Sequence, residues 1–449
     1  MASSQQGAAA AAEPDSSTVH KAVGAAAIGN ATEWFDFAAY SYVAVYIGAN
    51  FFPDASDSAQ LLSAFVVFAS SFVIRPLGGL FFGPLGDRIG RKRVLATTIL
   101  LMALATFSIG ILPTYGQIGV WATVLLVAAR MIQGFSTGGE YGGAATFMSE
   151  YAPYRRRGFF GSFLEFGTLG GFTLGAVIGT VLITVLSEDA MTTWGWRIPF
   201  LVALPLGIIG LYLRLRLDET PAFQEQQEQD VDRKEHSPLR ELCTAHWRDM
   251  LTCFGFVILL NIAVYTILTY LPNYLTQVLE TSENTSLLLI IAAQLGMMAV
   301  ILPMGALSDR IGRKPLLLTG CLGFLLLSWP AFWLLSQGNA VSTGAGIVLL
   351  SSFLVCLLCL IGGTLPAIFD TRVRYGGFAI SYNLSTSLFG GTAPAVVTYL
   401  IQQTGNQYMP AYYLMAAAAV SLVPILLMKE TAGKPLRGTV AERELARAP

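Results

Sequence analysis

The chain has 449 residues, of which 54% are hydrophobic and only 12% charged, and its formal net charge is −1 at pH 7. Soluble domains carry about 25% charged residues, so much of this surface is expected to face lipid. The near-neutral balance leaves no basic footprint for nucleic acid, which is excluded as a partner.

The first 20 residues are rich in Ala, Ser and Gln, include acids and lack a basic leader. They read as a disordered cytoplasmic tail over 1–21 rather than a cleaved signal peptide. A hydrocarbon core about 30 Å thick needs roughly 20 apolar residues per helix. Twelve stretches qualify, near 22–49, 59–84, 94–112, 118–148, 158–185, 197–216, 250–278, 286–307, 316–336, 342–368, 376–401 and 409–428. The expected fold is therefore an all-α polytopic membrane protein with 12 transmembrane helices. Of 27 Lys and Arg, 24 fall in the tails and in the loops after helices 2, 4, 6, 8 and 10. By the positive-inside rule both termini and the linker are cytoplasmic. That linker, 217–249, is polar and divides the spans into six-helix bundles over 22–216 and 250–428, followed by a short cytoplasmic tail, 429–449.

The hexapeptide Asp-Arg-Ile-Gly-Arg-Lys occurs at Asp87–Lys92 and again at Asp309–Lys314, an offset of 222 residues. Gly83 and Gly305, and Leu85 and Leu307, align at the same offset. Two parallel repeats about an axis along the membrane normal account for this spacing. Of the five cysteines, Cys356 and Cys359 lie in an apolar run with no nearby His. They read as packed thiols, so neither a metal nor a cofactor is expected.

The stretch Gly83-Pro84-Leu85-Gly86-Asp87-Arg88-Ile89-Gly90-Arg91-Lys92 and the set Arg130, Gln133, Gly134 resemble the signature motifs of the major facilitator superfamily. Gly29–Phe37, Ile74–Gly79, Gly138–Tyr141 and Gly195–Phe200 resemble its metabolite:proton symporter branch. Met409–Leu414 and Lys429-Glu430-Thr431 are similar to the proline/glycine betaine:proton symporters within it. The resemblance implies the major facilitator fold, two pseudo-symmetric six-helix bundles, and proton-coupled import. The osmosensory member carries a long C-terminal coiled coil; the sequence past residue 428 has no such length, so regulation through a coil is not expected.

Ionisable groups within a bilayer are functional candidates by default. The spans hold Glu33, Asp36, Arg75, Arg130, Glu140 and Glu165, all in the first half, while helices 7 to 12 hold none in their interiors. At 1.5 Å per residue, Glu33, Asp36, Arg75 and Glu140 sit roughly 15–21 Å above the cytoplasmic face. Glu33 and Asp36 are three apart and face broadly the same way. A symporter needs a carboxylate whose pKa moves between the two faces of its cycle. Arg75 or Arg130 moving relative to Asp36, Glu33 or Glu140 would supply that change; the alternative is a static ion pair that fixes packing. Glu165 reads as either a gate or a packing group. The stripe Asn30, Glu33, Phe37, Tyr40 and Ala44 suits a cavity wall. Glycines along helices 4 and 5, Gly134 to Gly171, read as sites of close backbone approach.

A zwitterion presents a carboxylate, which a guanidinium takes by paired hydrogen bonds, and a cationic nitrogen, which aromatic faces attract. Candidate binding residues are Asn30, Trp34, Phe37, Tyr40, Arg75, Tyr141, Asn261, Tyr265, Gln294, Tyr382 and Asn383, with Phe35 and Trp329 as further aromatics. Asp87, Arg88, Arg91, Asp309, Arg310 and Arg313, with Glu150 and Arg157, suit cytoplasmic salt bridges that hold one face shut, or a topology anchor. Pro315 in place of Arg93 favours the first copy for gating. The function expected is import of a zwitterionic osmolyte (proline, glycine betaine or ectoine-like) with a proton, across a bacterial inner membrane. The alternative cargo is an organic acid such as a dicarboxylate or 2-oxoglutarate. An enzyme is not expected: there is no nucleotide loop or nucleophile elbow, and His20, His236 and His246 all lie outside the spans.

Overall fold

The computed structural model describes residues 16–216, 219–220, 223–224, 238–439 and 441–443. The expected tail through residue 15, the linker segment 225–237 and residues 444–449 lie outside them. Helix is the only regular structure among the described residues. A backbone away from water must satisfy its polar groups within its own segment, which a helix does.

Among the described residues the helices group into twelve spans in chain order. The first six are α1 (Ser16–Tyr42, continued by Ala44–Phe51), α2 (Asp57–Ile89), α3 (Arg91–Ile111), α4 (Val120–Tyr151), α5 (Arg157–Val185) and α6 (Ile198–Leu215). The second six are α7 (Trp247–Val264), α8 (Glu283–Ile311), α9 (Arg313–Leu335), α10 (Ala340–Leu358), α11 (Arg374–Ser385) and α12 (Met409–Leu427). With α7 followed to Thr276, α10 to Thr364 and α11 to Thr404, eleven of these spans among the described residues are long and apolar enough to cross a membrane; the twelfth, α1, carries Lys21, Asn30, Glu33 and Asp36.

Three segments depart from expectation. Ser16–Lys21 belongs to α1 rather than to a loose tail, because Val19, Ala22, Val23 and Ala26 bury one helical face. Within the linker, Pro238–Ala245 is helical and docks Leu242 against Gly376 and Gly377 of α11. The tenth span is not continuous: α10 ends at Leu358, and short turns at Ile361–Thr364 and Pro366–Ile368 follow. Helices α7 and α11 also continue as π-helical turns, Tyr265–Tyr270 and Thr386–Gly390, a distortion often found at functional sites.

Packing resolves the chain into two bundles. Helix α1 lies on α5 and α6, α2 on α4, and α3 on α4 and α6; α7 lies on α11 and α12, α8 on α10, and α9 on α10 and α12. The seam between bundles is built by α2 against α11 and by α5 against α8. Advancing each helix by six turns the first of these pairs into the second, so the seam keeps the symmetry of the duplication. Glycine makes both contacts possible: a Cβ on Gly83 would stand 2.8 Å from Gly376 Cα, and one on Gly158 would stand 2.6 Å from Gly305 O.

Both hexapeptides turn at a glycine with positive φ, Gly90 at 105° and Gly312 at 96°, a region open to glycine at little steric cost. Each turn starts a helix whose first N–H groups are capped by a distant carboxylate. Glu219 Oε1 accepts from Arg91 N at 3.1 Å, and Glu430 Oε1 from Arg313 N at 3.1 Å. The Glu-Thr pair that follows each bundle therefore closes that bundle's own hexapeptide loop.

Candidate functional site

The six ionisable residues within the spans, Glu33, Asp36, Arg75, Arg130, Glu140 and Glu165, are all buried, and each has a partner, as burial of charge requires. Arg75 Nη2 stands 3.4 Å from Glu33 Oε1, and Arg75 Nε donates across the seam to Asn383 Oδ1 at 3.4 Å. Asp36 Oδ2 accepts from Thr106 Oγ1 at 2.6 Å and from Gln133 Nε2 at 3.4 Å. Arg130 donates to Gln133 and to Ser71 Oγ, so Gln133 links it to Asp36. Rings of Tyr40 and Phe68 flank the Arg130 guanidinium at 4.4 and 4.9 Å, a favourable arrangement for a desolvated cation.

Glu33 and Asp36 do not share surroundings. Three helical residues turn through about 300°, which sends Glu33 toward α2 and Asp36 toward α3 and α4. Glu140 pairs with neither Arg75 nor Arg130. Its partner is Arg214 on α6, Nη2 to Oε1 at 2.5 Å, and Thr98 Oγ1 donates to its other oxygen at 2.5 Å. By composition Arg214 counts among the loop cations. The signal was present, because Arg214 continues the buried stripe Phe200, Ala203, Gly207 and Gly210 at helical spacing.

At mid-height the two bundles meet over aromatic rings. Trp34 packs against Phe172 at 5.2 Å, Phe37 at 5.8 Å, and Tyr141 and Tyr265 at 6.4 Å each. Tyr141 stacks on Tyr382 at 4.3 Å across the seam and donates to Glu165. Phe37 lies 5.6 Å from the Arg75 guanidinium carbon and 5.5 Å from that of Arg130. Beside these rings, Arg75 Nη1, Glu33 Oε2, Trp34 Nε1 and Asn261 Nδ2 are buried without hydrogen-bond partners. The Tyr265 hydroxyl faces Arg75 without a well-formed bond. Unsatisfied buried polar atoms in such number are exceptional in proteins and indicate a place for a ligand or water.

Some expected lining residues are used elsewhere. Asn30 is turned onto α5, donating to Leu164 O at 2.7 Å and Thr168 Oγ1 at 2.6 Å. Tyr40 donates to Ala64 O at 3.0 Å, so Asn30 and Tyr40 serve internal packing, while Glu33 and Phe37 of the same stripe face the seam cluster. Asn383 Nδ2 is taken by Gly138 O and Ala379 O, and Gln294 Oε1 accepts from Thr173 of the other bundle at 3.2 Å. Phe35 packs within the first bundle, and Trp329 lies exposed against Tyr408; neither joins the cluster.

The hexapeptide carboxylates cap helices of the opposite bundle. Asp87 accepts from Tyr375 N at 3.3 Å and Gly376 N at 2.8 Å, at the start of α11. Asp309 accepts from Gly158 N at 2.7 Å and Phe159 N at 2.9 Å, at the start of α5. A carboxylate there meets the positive end of the helix dipole. The second copy is thus as firmly engaged as the first, and Pro315 does not weaken it, since the contact is made by the aspartate. Glu150 accepts from Arg91 at 3.3 Å, Arg374 at 2.7 Å and Thr220 Oγ1 at 2.5 Å. Arg91 also donates to Thr371 O at 2.8 Å, and Arg313 to Gly363 O. Arg157 Nη1 donates to Lys434 O at 3.0 Å, whereas Arg88 and Arg310 are exposed. The bundles are therefore stitched together at the hexapeptide face.

Comparison with known proteins agrees with this architecture. A family model described as the Major Facilitator Superfamily matches residues 26–393. The chain belongs to that superfamily. It is similar to the glycine betaine/proline/ectoine/pipecolic acid transporter OusA of Dickeya dadantii, 46% identical over 442 residues, 97% of this chain and 88% of the relative. It is also similar to the proline/betaine transporter of Escherichia coli K12, 46% identical over 431 residues, 94% and 86% of the two chains. A solved proton:xylose symporter, XylE, shares the fold at TM-score 0.77 and 19% identity, over 96% of this chain and 99% of its own. The protein is a multi-pass membrane transporter and not an enzyme.

Proposed function

We propose that the protein imports a zwitterionic osmolyte of the proline, glycine betaine or ectoine type together with a proton, by alternating access. The observation that carries this reading is the set of unpartnered groups at the seam, Arg75 Nη1 and Asn261 Nδ2, facing a ring cluster of Trp34, Tyr141, Tyr265 and Tyr382. A substrate carboxylate takes the free edge of Arg75, and the cationic nitrogen lies against the rings. Relatives whose names specify betaine, proline and ectoine support the choice. Proton coupling falls to Glu33 and Asp36, with Arg75 and Arg130 setting their charge state, and to Glu140. Asp87 and Asp309, with Arg91, Glu150, Arg157 and Arg313, form the gate at the hexapeptide face, assigned to the cytoplasm of a bacterial inner membrane by the distribution of Lys and Arg.

The test is uptake into proteoliposomes of labelled proline, glycine betaine and 2-oxoglutarate, with and without an imposed proton gradient. Gradient-driven accumulation of the zwitterions is expected. Uptake of 2-oxoglutarate alone overturns the substrate class, and accumulation that ignores the gradient overturns symport.

A further inference from the structure

The Glu140–Arg214 pair joins α4 to α6, nearer the hexapeptide end of α3 (at Thr98) than Asp36 is (at Thr106). Beside it is a cleft with room for about one water molecule, 10 Å³, lined by Ala26, Lys92, Leu95, Phe147 and Arg214. Of these only Lys92 is partly exposed, so the cleft reaches solvent at the first hexapeptide. On its inner side Arg214 touches Glu140 at 2.5 Å, and both lie within electrostatic reach of Glu33. Glu33 in turn pairs with Arg75 at the seam. Charged groups are thus strung between the substrate region and the cleft: Arg75 pairs with Glu33, Glu33 lies within electrostatic reach of Glu140, Glu140 pairs with Arg214, and Arg214 shares the cleft with Lys92. Two neutral groups also face Glu140. They are the Thr98 hydroxyl of α3 and Tyr375 of α11, whose hydroxyl donates to Gly139 O at 2.6 Å. Arg214 Nε has no hydrogen-bond partner although it is buried, so the guanidinium is aimed into the site with a donor to spare. Asp36 lies off this line, enclosed by Thr106 and Gln133.

We propose that Glu140 is the inner proton relay of the transport cycle and Arg214 its release switch, discharging the proton toward the hexapeptide face through the cleft beside Lys92. The inference rests on the symport reading. A proton on the Glu33 carboxyl passes to Glu140, which leaves Glu33 ionised beside Arg75 and frees Arg214 from its pair. When Arg214 closes on Glu140 again, the O–H bond breaks and the proton goes to water in the cleft; no electrons change hands. Arg214 is a positioning residue here, acting through Glu140.

The experiment uses full-length protein in proteoliposomes with a trapped pH dye, and the osmolyte that the wild type accumulates. Wild-type accumulation under a proton gradient tests the symport reading by itself. The double variant Glu140→Gln/Arg214→Gln removes both charges, so no lone charge stays buried. In it, gradient-driven accumulation and substrate-driven acidification are lost, while exchange of internal for external substrate, which needs no net proton movement, continues. Glu140→Asp restores acidification. The proposal is overturned if the double variant still accumulates and acidifies like wild type, or if its exchange disappears together with accumulation.

Discussion

Replacing Asp87 with Asn tests whether the hexapeptide holds its face shut. The carboxylate accepts from Gly376 N at 2.8 Å and Tyr375 N at 3.3 Å, and Arg91 Nη2 stands 3.3 Å away. Asn keeps one acceptor oxygen but turns an NH2 group toward the second N–H, so one bond and the charge are lost. A hydrogen bond to a charged group contributes about 1.5–3 kcal/mol, and a carboxylate at a partly buried helix N-terminus up to about 2 kcal/mol. Relief from burying the charge returns part of this. The net loss, about 1.5–2 kcal/mol, shifts the closed-to-open ratio of this face roughly ten- to thirtyfold. Spin labels at Arg156→Cys and Arg310→Cys, both exposed and on opposite bundles, read the opening in a Cys243→Ser background, since the other four cysteines are buried. The wild type should show one short distance, and Asp87→Asn a second, longer population. Adding Asp309→Asn should enlarge that population further, because it caps a different helix. An unchanged distribution in both variants would refute the reasoning.

Two further predictions follow from the seam and from the loop caps. Gly161→Ala would set a Cβ 2.6 Å from Gly363 N and 2.9 Å from Gly362 C, both backbone atoms that cannot yield. A lowered thermal midpoint is expected, whereas Gly170→Ala, with Met298 Cε at 3.7 Å its nearest neighbour, should gain up to about 1 kcal/mol of helix propensity; equal midpoints would count against the glycine argument. Glu219 and Glu430 should respond oppositely to pH. Burial raises the Glu219 carboxyl above its usual range and outweighs the Thr220 and Lys92 N–H donors. For Glu430 burial also acts upward, but the N–H groups of Ala432, Lys314, Arg313 and Thr431 prevail and the carboxyl titrates below its usual value. The Glu430 contribution is therefore present above the unfolded pKa and lost as pH falls through the folded one. Glu430→Gln should cost about 1 kcal/mol near neutral pH, with the difference from wild type closing in acid. Glu219→Gln should be close to neutral, and thermal melts across pH decide between these outcomes.

The spans, the duplication and the buried acids Glu33, Asp36, Glu140 and Glu165 were legible in the sequence, because each rests on a local property. A bilayer needs a fixed length of apolar chain, and an acid within such a run stands out in any window. The partners were not legible. Inside the spans the sequence offers Glu140 only Arg75 and Arg130, whereas Arg214, near the end of α6, reads like its neighbour, the loop cation Arg216. Only its place on the stripe Ala203, Gly207 and Gly210 distinguishes it. Asn30 and Tyr40 read as cavity lining because polarity on a helix face does not say whether a cavity or another helix lies opposite.

The sequence by itself determined where the chain crosses the membrane, that its halves are copies, and that the charge deep within the spans lies in one of them. Composition and periodicity depend on the solvent, and the solvent is known in advance. Tertiary structure alone decided that Asp87 caps α11 and Asp309 caps α5, that Glu219 and Glu430 close the two loops, and that Glu140 faces Arg214. Each of these joins atoms from helices distant in the chain. Their geometry is set by how closely glycine lets the backbones approach, and no local window of sequence contains that distance.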